Sequence, residues 1–272
     1  GAVSVREVDT AGMTQAGDWL TKGITTLQTQ YAINLPNTGN VLGPVAVNGS
    51  SLTPSSVLLT ENDDITQATP WTLGLSGSSQ APVTLNAGTH QILLTNASNQ
   101  LGDLAISGSP SLVSIREDDP ITQLSAWSLG TSPVTLATSN DQAITLNRNN
   151  VVGDLTITQY NTGAVDLGAV LVTEVDDITQ AAAWTTHGVT TLNAGTNDVV
   201  LTQAANVLAN VAITGTPSSV SLTENDAITQ NLVWSLGTAP VNLVTTNAQA
   251  ISLGGQDKVF GNLTVTQNGS GS

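Results

Sequence analysis

The chain has 272 residues, with 20 acidic and five basic side chains and a formal net charge of −15 at pH 7. This balance excludes nucleic-acid binding, which needs a basic surface, and argues against docking on anionic lipid. The lack of cysteine excludes disulfides, thiol catalysis and zinc–thiolate sites. Charged residues make up only 9% of the chain and hydrophobic residues 39%, which is typical of secreted β-structure and not of disorder. Apolar runs stay short of the ~18 residues that span a bilayer, so we expect no membrane insertion.

One repeated unit organises the chain. Each repeat opens with an apolar-Thr-Gln string, and a tryptophan follows six residues after the first residue of that string. The strings begin at Met13, Ile65, Ile121, Ile178 and Ile228, and the tryptophans are Trp19, Trp71, Trp127, Trp184 and Trp234. Such self-similarity, with a period of roughly 50 to 57 residues, indicates a stacked repeat architecture. We therefore predict one continuous body over 1–267, with repeats at 13–64, 65–120, 121–177, 178–227 and 228–267. Residues 1–12 match the end of a preceding repeat, and 268–272 are predicted to form a flexible tail.

Short strands follow one another along each repeat. After Ile65 they are expected to begin at Val83, Ile92, Leu104 and Val113, with apolar and polar residues alternating as in half-buried strands. Later repeats show the same series, and no segment has a helical period. These strands fit either a sandwich of hairpins or a parallel β-helix, and the scarcity of Asn-Gly turns favours the β-helix. Dividing the repeat by three predicts coils of about 18 or 19 residues, about 14 or 15 coils in all and a rod of roughly 70 Å at ~4.8 Å per coil.

Several strings then resemble a known family. They are the segment 191–206, Val211-Ala212-Ile213-Thr214-Gly215, the segment 220–230, and Gly261-Asn262-Leu263-Thr264-Val265-Thr266-Gln267. Together they are similar to the long repeats of filamentous-haemagglutinin-type adhesins of two-partner secretion and autotransporter systems. The resemblance implies a right-handed parallel β-helix in a secreted, cell-surface or biofilm adhesin of Gram-negative bacteria.

Acidic residues recur where one strand of each repeat ends. Clustered carboxylates are hard oxygen ligands, and this predicts calcium as one possible occupant. The candidate ligands are Glu61, Asp63, Asp64, Glu117, Asp119, Glu174, Asp176 and Asp177. The spacing matches no established calcium loop, so the favoured interpretation is a solvated turn whose side chains cap backbone amides and keep rods apart. We expect no other cofactor.

The tryptophans invite two interpretations. They could form a ladder that stacks on sugar rings, or they could be large hydrophobic groups that support the coil. If equivalent tryptophans lay three coils apart, about 14 Å would separate them, too far for adjacent sugars. The structural interpretation is therefore favoured, and the tryptophans serve as markers of the repeat. An asparagine at a turn of each of the first four repeats is expected to bond to neighbouring backbone: Asn40, Asn99, Asn150 and Asn206.

Catalysis finds little support in these residues. The two histidines, His90 and His187, fall at non-equivalent turn positions, and phosphate-loop and nucleophile-elbow motifs are missing. We predict that the chain is not an enzyme but a rigid extended spacer in an extracellular adhesin. One alternative is a subunit of a self-assembled filament, because both chain ends fall inside a repeat and open strand edges can join. Another is a β-helix that binds or degrades polysaccharide. The expected partners are further repeats of the same chain or identical subunits, and also extracellular polysaccharide or a host surface.

Overall fold

A computed structural model describes residues 1–47, 53–73, 75–76, 79–161, 167–254 and 259–269. These residues form short strands joined by turns, and no helix among them is long and apolar enough to cross a membrane. In chain order the strands are β1 (Val3–Arg6), β2 (Met13–Thr14), β3 (Thr25–Gln28), β4 (Ala32–Leu35), β5 (Val45–Val47), β6 (Ser56–Thr60), β7 (Ile65–Thr66), β8 (Leu75–Ser76), β9 (Ser79–Gln80), β10 (Val83–Asn86), β11 (Gln91–Leu94), β12 (Leu104–Ser107), β13 (Leu112–Glu117), β14 (Ile121–Thr122), β15 (Val134–Ser139), β16 (Ile144–Asn150), β17 (Leu155–Tyr160), β18 (Val170–Glu174), β19 (Thr190–Asn193), β20 (Val199–Leu201), β21 (Asn210–Thr214), β22 (Val220–Glu224), β23 (Ile228–Gln230), β24 (Val241–Thr245), β25 (Ile251–Ser252) and β26 (Leu263–Gln267).

The strands stack in five parallel sheets along one axis. In order they are β1-β3-β5, β2-β4-β6-β10-β12, β7-β11-β13-β15-β17, β14-β16-β18-β19-β21-β23-β25 and β20-β22-β24-β26, which we call stacks 1 to 5. Apart from the small antiparallel pair β8-β9, every pairing between the described strands is parallel. The predicted all-β parallel solenoid is therefore confirmed.

One turn of the solenoid has two full strands and a short third side. After β10 and β11, for example, the chain forms a single bridge between Gln100 and Thr72 before β12 begins. Each strand pairs with the strand one full turn further along, as Val113 of β13 does with Val134 of β15. The predicted coil was shorter than this spacing, because dividing the repeat by three left too few residues for the turns at the corners. The solenoid has about 12 turns, not 14 or 15, which corresponds to a rod of roughly 58 Å.

Equivalent positions in consecutive repeats are offset by a third of a turn around the axis of the solenoid. In the repeat 65–120 the chain passes seven sides: β7, the bridge at Thr72, β10, β11, the bridge at Gln100, β12 and β13. Seven sides of a three-sided turn make two and one third turns, whereas the division into three coils assumed a whole number. Equivalent positions in consecutive repeats therefore lie on different sides of the rod.

The apolar-Thr-Gln string is where this change of side occurs. Ile65-Thr66 is the first strand of stack 3, while the next residue, Gln67, bridges to Val45 at the end of stack 1. In the following repeat Ile121-Thr122 begins stack 4 and Gln123 bridges to the last strand of stack 2. One tripeptide thus opens a new sheet and closes an older one.

The core is built by the alternation that the sequence shows. In β13, Val113 and Ile115 point inward and are at most 1% exposed, and their partners Val134 and Leu136 are fully buried. One hydrophobic cluster extends in this way from Met13 to Leu243. Of the predicted flexible tail, residues 270–272 lie outside the described part of the chain.

Candidate functional site

The densest polar arrangement lies at one corner in each of four repeats, centred on a buried asparagine, and we call it the Asn corner. In the repeat 65–120 it is Asn99, which is fully buried. Its Oδ1 accepts hydrogen bonds from the backbone N–H of Trp71 at 2.9 Å and from Gln67 Nε2 at 2.8 Å. Its Nδ2 donates to Gln67 Oε1 at 3.1 Å and to the carbonyls of Leu94 and Arg116 at 3.1 and 3.0 Å. One side chain thereby joins three successive turns.

The same bonds recur in three further repeats. In each, the glutamine of the apolar-Thr-Gln string donates to the asparagine Oδ1 at 2.8 Å, and the tryptophan N–H donates to the same oxygen at 2.9 Å. The asparagine Nδ2 then donates at 2.9 Å to a carbonyl of the turn above. The three pairs are Asn40 with Gln15, Asn150 with Gln123 and Asn206 with Gln180. The sequence predicted a backbone role for these asparagines but missed the glutamines, although they recur at one fixed distance before each tryptophan.

A buried glutamate completes each Asn corner. Glu61, Glu117, Glu174 and Glu224 are at most 2% exposed, so the predicted solvated turn is wrong for these four residues. Because they continue the inward side of their strands, their carboxyls enter the corner above the asparagine. Three of them accept a hydrogen bond from the backbone N–H two residues after that asparagine, at 3.0 to 3.2 Å. Each of the four also has a buried carboxyl oxygen without a hydrogen-bond partner.

Burial changes the protonation of these carboxyls. It raises the pKa of Glu61 to about 8, an effect that the N–H of Leu42 opposes and the carboxylate of Asp63 reinforces. Burial likewise raises the pKa of Glu174 to about 9 and that of Glu224 to about 8, and it raises the pKa of Glu117 well above its usual range. The raised pKa favours the protonated, neutral form of these four carboxyls, and in that form they do not repel neighbouring rods.

The aspartates that follow the glutamates lie nearer the surface. Asp63, Asp176 and Asp177 are exposed, and Asp64 is partly exposed. Asp64 Oδ1 accepts the N–H of Gln91 in the next turn at 2.8 Å, and Asp177 Oδ1 accepts the N–H of Asp198 at the same distance. These aspartates cap backbone amides, as the structural interpretation of the acidic turns expects.

In the described part of the chain, one group of side chains has ligand atoms close enough together to hold a metal ion. Ligand atoms of Asp63, Asp64 and His90 all lie within 4.8 Å of one another, and Asp63 is exposed. The histidine had no assigned partner in the sequence, because it comes from the next turn. The remaining predicted calcium ligands join no such group among the described residues: Glu61, Glu117, Asp119, Glu174, Asp176 and Asp177.

The tryptophans lie inside the rod. Four of them are fully buried, and Trp19, in the first repeat, is partly exposed. Each of the four buried indoles donates its Nε1–H to a carbonyl of a neighbouring turn, at 2.9 to 3.3 Å. The buried four are Trp71, Trp127, Trp184 and Trp234. Their faces are covered by the core, so they cannot stack on a sugar from solution.

One pairing had no signal in the sequence. Asp141 is fully buried in a tight turn, where both it and Asn140 have positive φ, and its Oδ1 contacts His187 Nδ1 two turns away. The partners are 46 residues apart and belong to no shared motif. Among the described residues this is the only pairing of oppositely charged side-chain types within salt-bridge distance.

Comparison with known proteins places the repeat in a family. The model of the family described as Repeats of unknown function (DUF5649) matches residues 1–48, 43–108 and 152–215, which together are well over half of the chain. No curated protein matches the chain, and no solved structure does.

Proposed function

This chain belongs to that DUF5649 family of repeats, and on this premise we propose that it is a rigid spacer segment of a secreted bacterial cell-surface adhesin. The observation that carries the proposal is the unbroken stacking of about 12 turns over one hydrophobic cluster. In a solenoid each turn contacts its neighbours alone, so stiffness along the axis depends on how firmly adjacent turns are joined. The Asn corners supply that joint in four of the five repeats, because each connects three successive turns.

The surface of the rod also supports a spacer. Its outward side chains are mainly hydroxyls and amides, and among 272 residues only five are basic. The repeated polar residues with unusual environments, such as Asn99 and Glu117, are turned inward and hold the corner together. Adhesive or biofilm function would then belong to an element that the rod carries outward.

The spacer proposal is tested by shortening the rod and measuring cell attachment. Deleting the repeat 178–227 removes two and one third turns, or about 11 Å of rod, while it leaves the remaining stacks able to pair. In the intact adhesin, cell attachment should fall gradually as repeats are removed and should not depend on which repeat is removed. Complete loss of attachment after one particular repeat is deleted, with folding preserved by circular dichroism, would show instead that this repeat binds the ligand.

A second function that we propose is an extracellular filament, because the parallel stacking lets a turn of one copy pair with a turn of a second copy in the same way as with the next turn of its own chain. The mass of the native polypeptide distinguishes the two: a far larger chain supports the spacer, and a short chain recovered in filaments supports the assembled fibre.

A further inference from the structure

We propose that Glu224 is a proton-dependent latch, which holds the Asn corner at 202–208 closed while its carboxyl carries a proton and loosens it when the proton is lost. The inference is independent of the spacer function, because it concerns the closing of one corner and not the partner of the rod.

The geometry leaves one oxygen of this carboxyl without compensation. Glu224 is fully buried, and its Oε2 accepts the N–H of Leu208 at 3.2 Å. Its Oε1 is buried and has no hydrogen-bond partner. Around it, the N–H of Asn225 donates to the carbonyl of Asn206 at 2.7 Å, and Asn206 Nδ2 donates to the carbonyl of Thr223 at 2.9 Å. An ionised carboxyl here would place a bare charge inside a closed corner, which is strongly unfavourable unless the corner admits water.

In the described part of the chain, the segments directly below and above Glu224 offer no cation to offset that charge. The segment 202–208 in the turn below and the segment 241–250 in the turn above contain no ionisable side chain. Asp226 lies in the bend that follows β22, and its charge has the same sign. Of the four buried glutamates, Glu224 has the fewest ionisable side chains in its flanking segments. An arginine, a histidine or a further aspartate lies in the flanking segments of the other three.

The direction of the pH effect follows from linkage. Burial raises the pKa of Glu224 from 4.5 to about 8, the N–H of Leu208 opposes this shift, and Asp226 adds to it. Below pH 4.5 both the closed and the open corner keep the proton, so opening does not depend on pH. Between pH 4.5 and about 8 only the open corner releases it, and the opening constant should rise by about tenfold per pH unit. Above that range both forms are ionised, and the rise, roughly three thousandfold in total, levels off.

Amide hydrogen exchange measured by NMR from pH 5 to pH 9 tests the latch, with rates corrected for their intrinsic pH dependence. In the wild-type chain the amides of Leu208 and Asn225 should lose protection progressively across this range. Glu224→Gln keeps the shape of the side chain but cannot ionise, so protection at both amides should become independent of pH. Glu7→Gln is the matched control: Glu7 holds the equivalent place before the first repeat, but it is partly exposed and its Oε1 already accepts the N–H groups of Val8 and Asp9.

Three results would overturn the proposal. Wild-type protection at Leu208 that does not vary with pH would show that the carboxyl is not linked to the corner. An unchanged pH dependence in Glu224→Gln would assign the effect to another group. Recovery of protection in the wild-type chain at pH 8.5 on addition of Ca²⁺, with no effect of Ca²⁺ on Glu224→Gln, would make the unpartnered oxygen a cation ligand in place of a proton carrier.

Discussion

Removing the side chain of Asn99 should be among the most destabilising single changes in the chain. Asn99→Ala deletes five hydrogen bonds from a fully buried site. Each is worth about 1 kcal/mol net, and orphaned buried groups add to the loss. The Trp71 N–H and the Arg116 carbonyl lose their partner, and both ends of the Gln67 amide lose a bond. We therefore expect the free energy of unfolding of the affected turns to fall by about 3–5 kcal/mol.

The measurement has to resolve single turns, because unfolding of a solenoid need not be all-or-none. Hydrogen exchange followed by mass spectrometry provides this, with a thermal melt as the global readout. Asn62→Ala is the control, since Asn62 is exposed in the turn after Asn40 and its own N–H bond to the Asn40 carbonyl survives the substitution. Exchange in peptides covering 92–105 should increase strongly in Asn99→Ala and stay as in wild type in Asn62→Ala. If both variants lose less than about 0.5 kcal/mol, the usual range for surface changes, the Asn corner does not join the turns as described.

Three further predictions follow from the same structure. Trp127→Ala should lower the free energy of unfolding, measured by chemical denaturation, by about 3–5 kcal/mol, as for other buried aromatics. Trp127→Phe should lower it by about 1 kcal/mol, because the bond to the Leu104 carbonyl is lost. Equal losses in the two variants would contradict a core role for the indole. Two glycines inserted between Ala181 and Ala182 should lower the melting temperature strongly although both residues are exposed, because Gln180 and Trp184 lie on either side of the insertion and both donate to Asn206 Oδ1; an unchanged melting temperature would contradict the role of the Asn corner. A chelator should leave the melting temperature unchanged; a decrease that His90→Ala removes would instead identify Asp63, Asp64 and His90 as a metal site.

The sequence predicts the fold class well because the relevant signal is local. Val83 and Leu85, or Val113 and Ile115, alternate with polar residues on a single strand, and that alternation is enough to identify a half-buried strand. The position of Glu117 was accessible by the same rule, because it continues the spacing of Val113 and Ile115 to the inward side. Its charge argued for the surface, and this was wrong because a buried carboxyl can keep its proton.

Pairings between distant turns could not be predicted in this way. Asn99 and Gln67 are 32 residues apart, and Asp141 and His187 are 46 apart, so both contacts depend on the exact number of residues per turn. That number is set by corner loops whose length varies from turn to turn. The prediction of three coils per repeat failed for this reason, and the number of coils, the rod length and the spacing of three coils between tryptophans failed with it.

The extra third of a turn per repeat has a consequence for function. Equivalent residues return to the same side of the rod only after three repeats, which is seven turns or about 34 Å, so Trp19 shares its side with Trp184 and not with Trp71. A partner that contacts one repeat along a straight line meets different residues in the next repeat. A continuous ladder of identical binding sites along one face is therefore incompatible with this geometry. The Asn corners face inward, and each bonds only to the turns directly below and above it. The rotation between repeats therefore does not affect how they join the turns. The periodic residues of this chain are arranged as a rod needs them, and a ligand platform would need a whole number of turns per repeat.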